Sequence, residues 1–468
     1  MNITIGSKIT INEPSKEIIE WAYENLVFAN PQYEQNKALG YSNYKTPKEI
    51  FLFQSYGNKI TMPFGVYKHI WKYVKGEPYT INFKPIETRK LSSDIELREY
   101  QKNAIESVLK AKNGVLVAPC GSGKTLMGLY IANSLHQKTL WIAHTLDLVN
   151  QAKNVFEKTF KGLQEGDVGT ITEGKVNIGN IITFATVQTL SNLDLTDYEY
   201  VWNTIITDEC HHIANKPNTL TMYDYVMNRL CARYKIGLTA TPKRRDGLTL
   251  SMYAILGEKI FEITDCQVKL NKVPATLRVI DLPTQESLDY LESDYKFNNT
   301  KFSEYIANLG SRNASICNEI IKLFKEKRKQ LVLCERISQV EKIFAKLNYF
   351  EKTNELGIKM AVFTGGIKRS QREHILRNYK DYDVIIATYQ IASEGLDMPA
   401  LDTLHLASPK TKNNKALIKQ CVGRIERASE GKDSSEVIFY RDTNILFSRR
   451  ACENVRLAMG IKKRDYLF

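Results

Sequence analysis

Gly114-Val-Leu-Val-Ala-Pro-Cys-Gly-Ser-Gly-Lys-Thr125 is the stretch whose reading decides the fold. A short apolar run passes into a glycine loop, and Thr125-Leu-Met-Gly-Leu-Tyr-Ile-Ala then starts a helix. Gly121 and Gly123 allow the backbone N–H groups around Ser122 to wrap phosphate oxygens with no side chain in the way. Lys124 can reach the β- and γ-phosphates, and Thr125 can ligate Mg²⁺. The strict spacing of such loops asks for glycine at the first position, where this chain has Ala118. The remaining glycines are expected to supply the turn.

On both sides of this stretch, short apolar runs alternate with amphipathic helical stretches. The first set is Gly114–Ala118, Thr139–Ala143, Asn180–Phe184, Thr204–Thr207 and Lys235–Leu238. A second set follows at Gln330–Cys334, Lys359–Phe363, Asp383–Ala387, Thr403–Leu406 and Glu436–Tyr440. Uninterrupted apolar runs of this length mark strands of a parallel sheet buried on both faces. The polar stretch Thr284–Leu309 near the changeover reads as helical.

Residues 1 to about 90 follow another pattern. Asn2–Ile11 alternates like a hairpin, and Ser15–Phe28 has helical apolar spacing through Ile18, Ile19, Ala22, Leu26 and Val27. After Asn30–Pro31 the chain reads as irregular up to Tyr44, and Pro85 to Ser93 reads as a linker. The expected architecture is α/β: a small α+β module at 1–90 and two tandem parallel-sheet domains at 91–270 and 271–468. At roughly 150 residues per domain, 468 residues agree with about three domains.

A second chemical signal is Thr204-Ile-Ile-Thr-Asp-Glu-Cys-His-His212. An apolar strand ends in paired carboxylates, with Asp208 suited to hold Mg²⁺ and Glu209 to polarise an attacking water. The adjacent His211 and His212, taken as lying at a strand end, are expected to point apart and not to share a metal. A third signal is Gly237-Leu-Thr-Ala-Thr-Pro242, followed by Lys243-Arg-Arg-Asp-Gly247.

With Leu97-Arg-Glu-Tyr-Gln101, Ser393-Glu-Gly-Leu-Asp-Met-Pro399 and Gln420-Cys-Val-Gly-Arg-Ile-Glu-Arg427, these motifs stand in an order that closely resembles superfamily 2 helicases. The match runs from residue 95 to about 445. The resemblance implies two RecA-like domains of P-loop NTPase type with ATP and Mg²⁺ as cofactors. Gln101 then corresponds to an adenine-reading glutamine, with Arg98 or Tyr100 available to stack on the base. Thr239 and Thr241 correspond to residues that couple the ATP site to domain movement, and His211 to one that relays γ-phosphate state. Gly395 and Asp397 match positions near the ribose. Arg424 and Arg427 match arginine fingers, and Gln420 a phosphate sensor.

Nucleic-acid contacts implied by the same resemblance are His144, Thr145, Thr186, Gln188, Arg336, Thr364, Gly365, Gly366 and Thr388. Hydroxyls, glycines and single bases of this kind suit phosphate contact, not base reading. Arg245 is also expected to touch nucleic acid: Arg245–Asp246 falls where XPB-like proteins carry an Arg-Glu-Asp element used at duplex junctions, with the middle Glu missing here. The details resemble the branch holding XPB, type III restriction translocases and phage UvsW-like branch-migration helicases of the Tequintavirus type. The function so implied is ATP-dependent translocation on DNA, with unwinding or branch migration of forked or Holliday-junction DNA. A duplex translocase without strand separation and an ATP-gated nucleic-acid-binding protein are the alternatives, and backbone contacts leave RNA open as a substrate.

The helix-forming cluster Tyr67, His69, Trp71, Lys72, Tyr73 and Lys75 has two readings. It suits stacking on bases at a junction, or it is an amphipathic helix that buries Trp71. Arg449, Arg450, Arg456, Lys462, Lys463 and Arg464 form a basic flank or a solvated helix face.

Composition agrees with this reading without deciding it. Sixty-five Lys and Arg against 52 Asp and Glu leave a formal charge of +13, which fits nucleic acid and fits simple solubility. The eight cysteines form no CxxC pair, so neither structural zinc nor a disulfide scaffold is expected. Free thiols, no basic-then-apolar leader and no long apolar span fit a cytoplasmic monomer away from membranes.

Overall fold

The computed structural model describes residues 1–461, apart from 120, 214–220, 243–247, 270–272, 284–291, 294–295, 298, 391–397 and 411–414. Two compact units divide the chain, Met1–Gln267 and Val268–Phe468.

The first unit opens with strands β1 (Asn2–Ile5), β2 (Lys8–Asn12), β3 (Val27–Ala29), β4 (Glu49–Phe51), β5 (Gln54–Tyr56), β6 (Lys59–Pro63) and β7 (Tyr79–Ile81). Five of them make one sheet in the order β5-β6-β2-β1-β7. The β1–β2 hairpin pairs Ile3 with Ile11 and Ile5 with Ile9. Ile3, Ile9 and Ile11 are buried on one face, as period-two alternation requires, and Ile18 and Ala22 of helix Lys16–Asn25 join the same core.

Two expectations fail in this module. The helix predicted over Ser15–Phe28 stops at Asn25, and Val27–Ala29 pairs with β4 as a strand. The stretch after Pro31 is not irregular but a helix, Pro31–Leu39. Asn30 caps it by accepting from Gln32 N at 3.0 Å, and Gly40 closes it at φ +72°. None of its residues is buried, so it carries no apolar period to read.

The second sheet of this unit is built from β8 (Gly114–Val117), β9 (Thr139–Ala143), β10 (Val168–Thr172), β11 (Lys175–Asn177), β12 (Ile182–Thr186), β13 (Thr204–Asp208), β14 (Tyr234–Thr239) and β15 (Lys259–Glu262). The order is β11-β10-β12-β9-β13-β14-β8-β15, all pairs parallel except β10–β11. Every residue of β8, β9, β12 and β13 is buried, which accounts for their uninterrupted apolar runs. The segment read as a linker lies along this sheet, with bridges Glu87–Gln137 and Ser92–Lys161.

The module is clamped to this sheet. Lys235 on β14 is fully buried, and its Nζ donates to Met227 O at 2.7 Å and to Ser7 O at 3.2 Å. The ammonium also lies 5.3 Å from the centre of the Phe64 ring. Ser7 N donates to Cys231 Sγ at 3.1 Å, so both backbone polar groups of Ser7, in the β1–β2 turn, are held from across the seam. Burial pulls the Lys235 pKa down to about 7. At Gly65 a Cβ would meet Gly257 N at 2.3 Å, so the turn Phe64–Val66 lies directly on the end of helix Thr249–Leu256.

The second unit is a six-stranded, all-parallel sheet of β16 (Ala275–Leu282), β19 (Gln330–Cys334), β20 (Met360–Phe363), β21 (Val384–Thr388), β22 (Thr403–Leu406) and β23 (Ser435–Asp442), in the order β16-β23-β22-β19-β21-β20. Between its first two strands lies the pair β17 (Glu292–Ser293) and β18 (Lys296–Phe297). Within the stretch read as helical over Thr284–Leu309, the described residues include a strand pair and helix Asn299–Asn308. Arg312 and Asp442 form a buried ion pair at 3.0 Å, with Arg312 also donating to Ala407 O and Tyr440 O. Those added acceptors satisfy a guanidinium that water cannot reach.

Among the described residues every cysteine is a free thiol, no group of His, Cys, Asp or Glu could hold a metal by itself, and no helix is long and apolar enough to cross a membrane.

Candidate active site and nucleic-acid-facing edge

The phosphate loop links β8 to helix Lys124–Leu135. Gly121 and Gly123 take φ values of +80° and +84°, the left-handed region glycine enters without strain. Ala118 is buried, its N donates to Thr239 O at 2.9 Å, and it lacks a positive φ. Alanine therefore fits where the usual pattern has glycine. The loop is propped from below: Gln101 Nε2 donates to Ser122 O at 2.9 Å and Tyr100 Oη to the same oxygen at 3.2 Å. Arg98 donates through its backbone N to Gln101 Oε1 and through Nη1 to Tyr100 Oη, both at 3.0 Å. A Cβ at Gly123 would stand 2.6 Å from Gln101 Nε2, so this glycine also gives the glutamine room.

β13 delivers the carboxylates beside the loop. Lys124 Nζ meets Glu209 Oε1 at 2.8 Å. Asp208 Oδ1 accepts from Glu209 N at 3.0 Å. Burial, and then the neighbouring Glu209 charge, push the Asp208 carboxyl up to about 6. Burial acts on Glu209 in the same direction, but the Lys124 ammonium and then His211 outweigh it and hold that carboxyl well below the usual range. Glu209 itself sits at φ +48°, a left-handed conformation uncommon for a non-glycine residue and frequent at functional sites. A buried carboxylate at a raised pKa, with a hydroxyl at Thr125 opening the adjacent helix, fits a hard cation shared with phosphate oxygens.

β14 lies between β13 and β8 and brings the third motif alongside. Thr239 Oγ1 accepts from Thr241 N at 3.1 Å and lies 3.0 Å from His211 Nδ1. That same nitrogen is 3.2 Å from Glu209 Oε2. His211 and His212 do not point apart as expected. They occupy a 3-10 turn, Cys210–His212, not a strand end, and their ring centres are 4.5 Å apart. Gly237 has a packing role that was missed: a Cβ there would stand 2.7 Å from Cys210 Sγ. A glycine inside an apolar strand was the available signal.

The residues expected to face nucleic acid gather at strand ends. In the first unit His144 and Thr145 follow β9, while Thr186 ends its neighbour β12 and Gln188 lies just beyond it. Gln188 Nε2 donates to His144 O at 2.6 Å. Thr145 and Thr186 spend their hydroxyls capping the next helices. In the second unit Arg336 follows β19, Thr364 and Gly365 follow β20, and Thr388 ends β21, three adjacent strands. Helix Lys415–Ile425 buries Ile418, Cys421, Val422 and Ile425 and leaves Gln420 and Arg424, four apart, half-buried on another face; Arg427 follows the helix. Arg245, Gly395, Asp397, Lys462, Lys463 and Arg464 lie outside the described residues. Trp71 is 41% exposed and packs edge-on against Tyr79, which corrects the reading that buried it.

Residues 94–244 match the family described as type III restriction enzyme, res subunit, and residues 312–429 match the helicase conserved C-terminal domain. A protein of Acanthamoeba polyphaga mimivirus, named as an ATP-dependent RNA helicase, is 28% identical over 71% of this chain and 61% of its own. Helicase D10 of Escherichia phage T5 is 28% identical over 67% of this chain and 64% of its own. The DNA 3'-5' translocase XPB2 of Sulfurisphaera tokodaii is 26% identical over 66% of this chain and 74% of its own. The chain thus spans under two thirds of the length of the first two relatives.

Among solved structures, the type ISP restriction-modification enzyme LlaBIII bound to DNA superposes with a TM-score of 0.56 at 17% identity, over 79% of this chain and 30% of that one. Dbp5 of S. cerevisiae, bound to RNA, gives 0.55 at 14% identity over 78% and 88%. Both show the fold, two RecA-like domains with parallel sheets. On these matches and the ordered motifs, the chain belongs to the superfamily 2 helicases, in the branch that holds the XPB-like and type III restriction-like proteins.

Proposed function

We propose that the chain is an ATP-dependent DNA helicase that translocates on DNA and unwinds or branch-migrates forked and junction DNA during phage recombination, replication or repair in the host cytoplasm. The observation that carries this reading is a run of contacts from Lys124 to Glu209 at 2.8 Å, from Glu209 to His211 at 3.2 Å and from His211 to Thr239 at 3.0 Å. A phosphate-binding lysine, a carboxylate held ionised and a histidine bridging to the threonine motif make a hydrolytic site; a binding module needs no such base.

In this reading the backbone N–H groups around Ser122 bind the phosphates and Lys124 leaves Glu209 for the γ-phosphate. Glu209 then accepts a proton from the water that attacks the γ-phosphorus, as the bond from that phosphorus to the β–γ bridging oxygen breaks and ADP leaves. Thr125 and Asp208 would hold Mg²⁺, which when bound offsets phosphate charge. Gln420, Arg424 and Arg427 belong to the same reading through their place in the motif order, as do Gly395 and Asp397 near the ribose. His144, Thr145, Thr186, Gln188, Arg336, Thr364 and Thr388 would grip the phosphate backbone, and the exposed Trp71 would meet a base. The name of the mimivirus relative supports RNA as a second reading.

Lys124→Ala and Glu209→Gln are each expected to abolish nucleic-acid-stimulated ATP turnover, and wild-type turnover in either variant would sink the mechanism. A panel of single strands, duplexes, forks, four-way junctions and their RNA analogues, scored for ATPase and unwinding, tests the substrate. Greatest stimulation by forks and junctions is expected. DNA-driven ATPase without unwinding of any fork would leave a duplex translocase.

A further inference from the structure

Three imidazoles stand in a row across two neighbouring strand ends. His144 follows β9, and His211 and His212 follow β13, which pairs with β9 in parallel. The ring centres of His144 and His212 are 3.9 Å apart with planes inclined by 39°, and those of His212 and His211 are 4.5 Å apart at 32°. At one end, His211 Nδ1 lies 3.2 Å from Glu209 Oε2 and 3.0 Å from Thr239 Oγ1. At the other, His144 O takes the Gln188 side chain at 2.6 Å, and the next residue, Thr145, caps helix Leu146–Thr159 through Leu148 N. The row thus runs from the loop expected to hold a phosphate backbone to the carboxylate expected to activate water. Rings this close leave no slack: His144 cannot move toward His212 without displacing it, since packed side chains switch places rather than compress.

We propose that His212 is a positioning residue. It passes a displacement of the His144–Thr145 loop, caused by bound nucleic acid, to His211 and so to the placement of Glu209. Nucleic acid then accelerates hydrolysis because an engaged loop holds the base in position. This rests on the chain being a nucleic-acid-stimulated ATPase, and it assigns work to a ring outside the residues expected to hold ATP or the strand.

The test uses the full chain carrying His212→Ala or His212→Phe. The measurements are ATP turnover with and without a saturating DNA fork, the KM for ATP, the dissociation constant of the fork and the unfolding midpoint. His212→Ala should lower the fold-stimulation by DNA about tenfold, within the usual range of coupling between two sites. Turnover without DNA, the KM for ATP and the fork affinity should stay at wild-type values. His212→Phe, which keeps a ring in the stack, should restore most of the stimulation. Full stimulation in His212→Ala overturns the proposal. So does an equal fall of basal and stimulated turnover, or a phenylalanine variant as defective as the alanine one. If His212→Ala does not fold, His212→Asn, polar but ringless, carries the same expectation. A wild-type chain whose turnover ignores DNA and RNA overturns the motor reading itself, which separates the two failures.

Discussion

Asp208 and Glu209 are adjacent carboxylates driven in opposite directions. Glu209 has Lys124 at 2.8 Å and stays ionised, whereas Asp208 is buried beside that negative charge and rises to about 6. A carboxyl whose folded pKa lies above its unfolded value binds more protons in the folded state between the two, so its contribution to stability falls as pH climbs through that window. For Asp208 the window runs from 3.8 to about 6. Without nucleotide, Asp208→Asn should gain stability relative to wild type across that window, read from denaturant midpoints at several pH values. Parallel pH curves for the two proteins would show that Asp208 is not so perturbed.

The carboxylates themselves were legible, because their type and their place at the end of an apolar run carry the chemistry. The placement of His212 was not. It depends on the chain leaving β13 through a 3-10 turn with Glu209 in a left-handed conformation, and no residue type in Asp-Glu-Cys-His-His announces that turn.

At the scale of elements, burial decides what can be read. Thr139–Ala143, Gln330–Cys334 and Thr403–Leu406 were predicted to their observed bounds, because central parallel strands are apolar on both faces. β16 was missed: it lies at the sheet edge and is mostly half-exposed, so its residues show no such run. Helix Pro31–Leu39 was missed for the same reason, although Asn30-Pro31 is a helix-start signature that the apolar period did not need. That cap is a stability element. Asn30 is buried, accepts from Gln32 N and donates to Pro47 O at 2.7 Å. Asn30→Ala should cost about 1–2 kcal/mol in unfolding free energy, the usual worth of such a cap. A variant with unchanged stability would mean that the helix start does not depend on it.

At the scale of the molecule, the net charge of +13 has no single address. Ion pairs such as Lys124 with Glu209 and Arg312 with Asp442 neutralise some of the positive groups locally and add nothing to that excess. The remainder should give nucleic-acid affinity that falls steeply with salt, with a log–log slope that reports the phosphates neutralised. Affinity insensitive to salt would argue against backbone gripping. The seam inside the first unit adds a second large-scale expectation. The Lys235 pKa is pulled from 10.5 to about 7, so the unfolded chain binds the extra proton between those values and stability should rise with pH across them. Lys235→Met should lack that rise in the same denaturant series.

The Lys235 clamp also bears on how a shortened chain would behave. Cutting away the first 90 residues would take Ser7 and Phe64 from a buried ammonium and bare the groove against which Gly65 packs. What remained would be a lobe with Leu248 and Ala254 stripped of the apolar core they share with the module. Lost turnover in such a truncation would therefore report a damaged motor core, not a missing grip on DNA. The separable way to probe the module is to change exposed groups on its outer surface, such as Trp71 and Tyr56, and leave the seam intact.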